Sequence, residues 1–208
     1  MRVVIFDLDG TLIDAAPDLA AKLNQVLATE GLAPLLVGTV QGMIGDGPKA
    51  LVERGFAARG AVMRPEHLQM FLEIYPQDPA HHTVVYAGII PALEQLKAQG
   101  RRLGLCTNKP EVATRAVLSA MQLSPFFDAV VAGDSTPYRK PDPRHLAATM
   151  AALEVTDAIM VGDHANDMKV AADLALPSIF CAWGYGDGAG TARAEAPQEL
   201  PDIIAKMG

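Results

Sequence analysis

The sequence lacks the features that mark secreted, membrane-spanning or disulfide-stabilised proteins. Its 208 residues contain no apolar run long enough to cross a bilayer. The first residues show no charged segment followed by an apolar one, so a signal peptide is not expected. There are two cysteines, Cys106 and Cys181, and both lie in apolar, strand-like runs, which favours buried free thiols in a reducing compartment. We therefore expect a cytoplasmic protein with no membrane partner.

Basic and aromatic residues are also scarce. The chain has 17 Lys and Arg against 24 Asp and Glu, giving a formal net charge of −7, and no basic cluster interrupts this acidic excess. That balance argues against a nucleic-acid partner. Aromatic residues make up 5% of a chain that is half hydrophobic, which favours helices packed closely on a sheet. The expected assembly is a monomer or a homodimer.

Strand and helix patterns alternate through the second half of the chain. Apolar runs at 2–6, 101–107, 127–133, 157–163 and 177–183 predict five strands. This alternation is typical of an α/β fold, and we expect a Rossmann-like parallel sheet core with helices on both faces, joined by right-handed crossovers. Between Ala15 and about Thr83 the pattern indicates helices and loops only. We therefore predict a core domain of residues 1–14 and 84–208, with an all-helical cap domain of residues 15–83 inserted into it.

Two acids follow directly on the first predicted strand, in "MRVVIFDLDGTLID". Burying one carboxylate at the end of a strand is costly, and placing Asp7 and Asp9 close together costs more. A cation between them would remove this cost. The pair therefore indicates a metal site rather than an ordinary turn.

Polar residues end two further strands and follow a third. Thr107 and Asn108 end the second core strand, and Asp163 ends the fourth. Lys140 lies in the loop "STPYRKPDP" after the third. Because ligands of open α/β sheets bind outside the carboxyl ends of the strands, these groups should converge with Asp7 and Asp9 on one crevice. Carboxylates suit Mg²⁺, and the lysine, hydroxyl and amide suit a phosphate. One of the first two acids would then hold the metal and attack phosphorus, while the other handles the leaving-group proton.

These residues resemble the motifs of the haloacid dehalogenase superfamily of phosphohydrolases. The four motifs are matched in order by "DLDGT" at 7–11, Thr107, Lys140 in "RKPDP", and "GDHAND" at 162–167. The helical segment between the first two motifs is similar to the helical cap of one branch of this superfamily. Within that branch, "DLDGTLIDAAPDLAAKLN" and "WGYG" at 183–186 look most like phosphoglycolate phosphatases. The resemblance implies 2-phosphoglycolate as the substrate, a small phosphorylated metabolite hydrolysed to glycolate and phosphate.

The resemblance also implies roles for individual residues. Asp7 would form an aspartyl-phosphate, and Asp9 would protonate the leaving oxygen and then activate water. Mg²⁺ would be held by Asp7, Asp163 and the main-chain carbonyl of Asp9. Asp167 would bind the metal directly or support the site from a second layer. The residues implied to hold the phosphoryl group are Gly10, Thr107, Asn108 and Lys140.

Recognition of the leaving group is expected to come from the cap, because the core motifs read only phosphate and metal. The stretch "IGDGPKALVERG" offers Gly45 and Gly47 for close backbone approach and a helix that begins near Pro48, with Asp46 as its cap. Lys49 in the first turn is a candidate for binding a substrate carboxylate. A solvated Lys49 is the alternative.

Other interpretations stay open at this level. Asp9 and Gly10 alone are compatible with a simple turn, and Asp163 and Asp167 with a helix cap and a first-turn acid. Three positions depart from the phosphoglycolate phosphatase pattern: Ala15, His164 and "VVYAGI" at 84–89. The alternative functions are a phosphatase for a sugar phosphate, nucleotide or pyrophosphate, a phosphomutase, a phosphonatase, and a phosphate-binding regulatory protein. The last is disfavoured because both first-motif acids are present.

Overall fold

The computed structural model describes all 208 residues and is built on a six-stranded parallel sheet. The chain has eight strands, six of which form this sheet, while β2 and β3 form a separate pair. They are β1 (Val3–Phe6), β2 (Ile13–Asp14), β3 (Val84–Val85), β4 (Leu103–Cys106), β5 (Ala129–Val131), β6 (Ala158–Gly162), β7 (Ser178–Cys181) and β8 (Ala192–Ala194). Their order in the sheet is β5-β4-β1-β6-β7-β8, and every neighbouring pair is parallel. The chain reverses its direction across the sheet at β1, which has β4 on one side and β6 on the other.

Nine α-helices accompany the strands. They are α1 (Ala16–Ala28), α2 (Val37–Gln41), α3 (Pro48–Ala57), α4 (Pro65–Ile74), α5 (Ile89–Ala98), α6 (Glu111–Ala120), α7 (Pro143–Ala152), α8 (Ala165–Asp173) and α9 (Leu200–Lys206). The first four lie between β2 and β3, and we call residues 15–83 the helical insert. None of these helices is both long and apolar enough to span a bilayer.

Both faces of the sheet are covered, as the sequence predicts. Along β1, Val4 and Phe6 point into a cluster of 36 buried residues, whereas Val3 and Ile5 point into a second cluster of ten. This alternation follows from the two-residue repeat of a strand. The smaller cluster contains side chains of α7 and α8, and the larger one runs without a break into the helical insert. The α/β fold class is confirmed.

Three short strands were not predicted. β8 has the sequence Ala-Arg-Ala, which carries no apolar run, and it pairs with β7 at the edge of the sheet. β2 and β3 form a separate antiparallel pair of two residues each, in which Ile13 lies opposite Val85. Strands this short have no periodicity to detect, because their pairing is decided by the tertiary fold. The pair joins the start and the end of the insert.

One predicted helix cap is wrong. Gly47, not Asp46, is the N-cap of α3, and its φ of 85° is a conformation that favours glycine. Asp46 instead pairs with Arg54 and accepts a hydrogen bond of 2.7 Å from Asn166 Nδ2. Asp46 therefore joins the insert to the first turn of α8.

Asp18, at the start of α1, fixes the chain where it leaves the insert. Its buried carboxylate accepts hydrogen bonds from the main-chain N–H groups of His82 (3.0 Å) and Thr83 (2.8 Å) and from Thr83 Oγ1 (2.7 Å). One carboxylate thus accepts from three donors. It holds the start of the insert, in α1, beside the end of the insert at residues 82–83.

We expect Asp18→Ala to lower the free energy of unfolding by about 2–3 kcal/mol, because buried donors lose their acceptor. Urea unfolding followed by circular dichroism measures this, with Glu53→Ala on an exposed face of the insert as the control. Equal stability of the two variants would contradict this account of Asp18.

Candidate active site

The sheet topology brings the predicted strand-end residues together. Phe6 at the end of β1 lies opposite Leu105 in β4 and Val161 in β6. Asp7, Thr107 and Asp163 follow these strands within two residues, so all three lie at the same edge of the sheet. The predicted crevice therefore exists, and the central strand places Asp7 in its middle.

Asp7 has an unsatisfied carboxylate in this crevice. The residue is 7% exposed, and its buried Oδ1 accepts no hydrogen bond. Lys140 Nζ lies 2.9 Å from this oxygen but without the alignment of a hydrogen bond. With no hydrogen bond to it, this oxygen is available to coordinate a metal or to react.

Lys140 is the buried cation of the site. Its Nζ donates to Asp167 Oδ1 at 2.6 Å, and its side chain is 2% exposed. Burial by itself would lower the pKa of Lys140, but the carboxylates of Asp167 and Asp7 outweigh burial and raise it above the ordinary lysine value. Lys140 thus keeps its charge between the two acids.

Asp163 completes a group of three buried carboxylates. Ligand oxygens of Asp7, Asp163 and Asp167 lie within 4.8 Å of one another. Thr11 Oγ1 donates to Asp163 Oδ1 at 2.7 Å, and the main-chain N–H of Tyr185 donates to Oδ2 at 2.8 Å. Burial, with the negative charges of Asp7 and Asp167 added, nevertheless raises the pKa of Asp163 to about 7.

The donor set fits a hard divalent cation. Three carboxylates and the main-chain carbonyl of Asp9, which accepts no main-chain hydrogen bond, supply only oxygen ligands. Gly10 and Gly184 pass so close to Asp163 that an added Cβ would lie 2.2 and 2.1 Å from its atoms. The backbone therefore fixes the position of this carboxylate.

Asp167 is more enclosed than the other two acids. Its Oδ1 accepts from Lys140, and its Oδ2 accepts from the main-chain N–H of His164 at 3.1 Å. Full burial and the pairing with Lys140 suit a supporting role behind the metal. His164 itself caps α8, with its ring accepting from the N–H of Asn166.

Asn108 lies at the site, but its side chain has partners within the protein. Nδ2 donates to the carbonyl oxygens of Gly45 (2.9 Å) and Lys140 (2.8 Å), and Oδ1 accepts from the N–H of Lys140 (2.9 Å). This side chain therefore positions the lysine loop and leaves no free donor for a phosphate. The main-chain N–H of Asn108 has no main-chain acceptor, and the residue lines the cavity together with Thr107.

Lys109 was not predicted from the sequence. Its side chain is 2% exposed, and Nζ lies 2.8 Å from Asp9 Oδ1 and 3.1 Å from Oδ2. Nζ also contacts the hydroxyl of Tyr75, which belongs to the single 3-10 turn after α4. Burial raises the pKa of Asp9 and Lys109 lowers it, with a net increase. The signal available was the position of Lys109 in "TNKP", next to two predicted site residues.

The structure does not bring Lys49 to the site. Its side chain is 62% exposed on α3 and lies 3.7 Å from Glu53. Gly45 and Gly47 from the same stretch do reach the crevice, where they line a cavity of about 40 Å³ between the insert and the sheet. The predicted stretch therefore reaches the crevice through its glycines, whereas Lys49 faces solvent.

Two aromatic residues of the "WGYG" stretch connect the site to the insert. The Tyr185 hydroxyl donates to Asp14 Oδ1 at 2.7 Å and accepts from the N–H of Ala15 at 2.7 Å. Trp183 Nε1 donates to the carbonyl of Thr11 at 3.0 Å. The loop that holds Asp163 therefore also holds the first connection to the insert.

Comparison with known proteins gives concordant matches. Residues 4–180 match the family described as haloacid dehalogenase-like hydrolase. A phosphoglycolate phosphatase of Cereibacter sphaeroides is 45% identical over 219 residues, covering all of this chain and 99% of that protein. One from Caulobacter vibrioides is 43% identical over 188 residues, covering 88% of this chain and 79% of the relative.

Solved structures share the fold. The crystal structure of a predicted phosphoglycolate phosphatase from Haemophilus somnus superposes with a TM-score of 0.89 at 24% identity, covering 98% of each chain. At that identity the likeness concerns the arrangement of the chain.

The charge on Asp163 makes stability depend on pH when divalent cations are absent. The folded protein holds a proton on Asp163 up to about pH 7, whereas the model carboxyl value is 3.8. This group therefore lowers the free energy of unfolding as the pH rises from about 4 to about 7, on the order of 4 kcal/mol. In EDTA we expect Asp163→Asn to lose less stability than the unaltered protein over this range.

Unfolding at pH 5, 6, 7 and 8 in EDTA, repeated with Mg²⁺, measures the effect. Added Mg²⁺ should raise the melting temperature of the unaltered protein most at pH 8, where the Asp163 carboxyl is ionised. Parallel pH profiles for the two proteins in EDTA would contradict the assignment.

Proposed function

The chain belongs to the haloacid dehalogenase-like hydrolases and is a phosphatase, and we propose that it hydrolyses 2-phosphoglycolate to glycolate and phosphate through an aspartyl-phosphate, with Mg²⁺. Its relatives named phosphoglycolate phosphatase support the choice of substrate. The observation that carries the mechanism is the buried Asp7, Asp163 and Asp167 cluster with Lys140 among its carboxylates.

Asp7, Asp163 and the main-chain carbonyl of Asp9 would hold Mg²⁺, with Asp167 behind them. The metal, when bound, would neutralise negative charge on the phosphoryl oxygens. The positive charge of the metal would also favour the ionised form of Asp163, since burial and the charges of Asp7 and Asp167 raise the pKa of this carboxyl to about 7. The rest of the chemistry belongs to side chains of this protein.

Asp7 is the nucleophile of the first step. One of its oxygens attacks phosphorus, and the bond between phosphorus and the ester oxygen breaks. The absence of a hydrogen bond to Oδ1 keeps a lone pair available for this attack. Lys140, the hydroxyl of Thr107 and the main-chain N–H of Asn108 stabilise the charge that spreads over the phosphoryl oxygens.

Asp9 is the acid and then the base. It lies in the cavity wall, and its raised pKa favours the protonated form needed to donate to the leaving oxygen. In the second step Asp9 takes a proton from water, the water oxygen attacks phosphorus, and the bond to Asp7 breaks. Phosphate and free Asp7 result.

The helical insert would act as a cap over this reaction. Its residues Ile44, Leu51 and Phe71 form apolar walls of the cavity above Asp7 and Asp9. Such walls exclude bulk water from the reacting atoms. The cavity is small and mostly apolar, which suits a small substrate.

We expect the purified protein to release phosphate from 2-phosphoglycolate with Mg²⁺ and to lose this activity in EDTA. Asp7→Asn should lower kcat by several orders of magnitude, because an amide attacks phosphorus poorly. A phosphate-release assay measures both effects, and Asp173→Asn at the far end of α8 is the matched control. Activity of Asp7→Asn within tenfold of the unaltered protein would remove Asp7 from this role.

Asp9→Asn should separate the two steps. Transfer of the phosphoryl group to Asp7 still proceeds slowly when the leaving group is a good one, such as a nitrophenolate. The aspartyl-phosphate on Asp7 then hydrolyses poorly, because the variant lacks the base that activates water. Intact-mass spectrometry after mixing with the aryl phosphate should then detect a persistent phosphorylated protein. If no phosphoprotein accumulates and turnover of 2-phosphoglycolate is undiminished, Asp9 is not the acid and base.

A further inference from the structure

Lys109 is the only cation in the wall of the cavity, and the reaction described above gives it no task. The other charged groups that line the cavity are Asp7 and Asp9. Lys109 has a 2% exposed side chain, so its ammonium lacks solvent and relies on protein partners. Asp9 supplies the main compensation and helps raise the pKa of Lys109 above the ordinary lysine value. This buried cation lines the cavity, where an anionic group of the substrate can reach it.

Lys109 and Tyr75 present two donors side by side. The Nζ atom has three N–H bonds, and its protein acceptors are the carboxylate of Asp9 and the hydroxyl of Tyr75. That hydroxyl accepts from Lys109, and its own proton has no protein acceptor although the side chain is buried. An ammonium and a phenol with unused donor capacity match the two oxygens of a carboxylate.

We propose, building on the function proposed above, that Lys109 and Tyr75 bind the carboxylate of the leaving group and make the enzyme selective for phosphate esters of small 2-hydroxy acids. The substrate carboxylate then takes the place of Asp9 beside Lys109. Asp9 is left facing the ester oxygen.

The short distance between Lys109 and Asp9 supports this class of ester. Asp9 acts on the ester oxygen, and Lys109 Nζ lies 2.8 Å from the Asp9 carboxylate. In the phosphate ester of a 2-hydroxy acid, a single carbon atom separates the ester oxygen from the carboxyl group. An acid with a longer spacer places its carboxylate beyond this pair of residues.

The rest of the wall argues against sugar and nucleotide leaving groups. Leu19, Ile44, Leu51 and Phe71 are buried and offer no partners for the hydroxyl groups of a sugar. A hydroxyl buried there loses its hydrogen bonds to water without replacement. The apolar wall and the single cation together suit a short acid.

Lys109 and Tyr75 come from opposite sides of the cavity. Lys109 follows β4 in the core, whereas Tyr75 follows α4 in the helical insert. The pair therefore exists only while the insert lies against the core. Recognition of the carboxylate depends on this closed arrangement.

The experiment compares 2-phosphoglycolate with 2-hydroxyethyl phosphate, which has the same number of carbon atoms and a hydroxymethyl group in place of the carboxylate. The measured quantity is the ratio of the two kcat/KM values in the unaltered protein, Lys109→Met, Tyr75→Phe and Lys49→Met. We expect the ratio to fall about 10- to 100-fold in Lys109→Met, the range for loss of a charge-assisted hydrogen bond. It should fall about threefold in Tyr75→Phe and stay within twofold in Lys49→Met.

Each outcome bears on one proposal. Equal losses on both substrates in Lys109→Met would show that Lys109 serves Asp9 alone and would overturn the inference. A fall confined to Lys49→Met would overturn it as well. If Lys109→Met does not fold, the ratio in Tyr75→Phe decides, and an unchanged ratio there overturns the inference.

An unaltered protein that hydrolyses aryl phosphate but not 2-phosphoglycolate would refute the proposed substrate. One that hydrolyses both small esters equally well would refute only the role of Lys109.

Discussion

The buried ion pair of Lys140 with Asp167, with Asp7 beside it, is the interaction on which the site depends. Three carboxylates whose oxygens lie within 4.8 Å repel one another, and burial strengthens that repulsion. Lys140 places one positive charge between two of them, at 2.6 and 2.9 Å. Its loop is held by Asn108, which exchanges two hydrogen bonds with the backbone of Lys140. The amide next to Thr107 thus determines where the cation lies.

Much of this arrangement was predictable from the sequence. The apolar run before Asp7 indicated a buried strand, and the alternation after residue 84 indicated a parallel sheet. Since polar residues at the carboxyl ends of parallel strands share one edge, the convergence of Asp7, Thr107 and Asp163 followed from topology. The helical segment also followed, because its apolar residues recur with helical spacing.

The parts that escaped prediction depend on contacts between distant residues. The side chain of Lys49 points to solvent because the opposite face of α3 packs against neighbouring elements. Gly47, and not Asp46, is the N-cap of that helix. The burial of Lys109 depends on Tyr75, 34 positions earlier, which the sequence gives no reason to place there. Asn108 was expected to donate to phosphate, but its amide is taken by two carbonyl groups. Local patterns identify the residues at a site more readily than the partners of each side chain.

The position of β1 in the middle of the sheet has a consequence for how the chain is made. β1 begins at Val3, but its two neighbours begin at Leu103 and Ala158. During synthesis the strand that precedes Asp7 is made before both of its neighbours, and the chain must extend through β6 before both edges of β1 are paired. Until then Val3–Phe6 is an apolar segment with unpaired backbone groups, open to association with other chains. The central place that gives Asp7 neighbours on both sides therefore also leaves β1 unpaired until the later strands have been made.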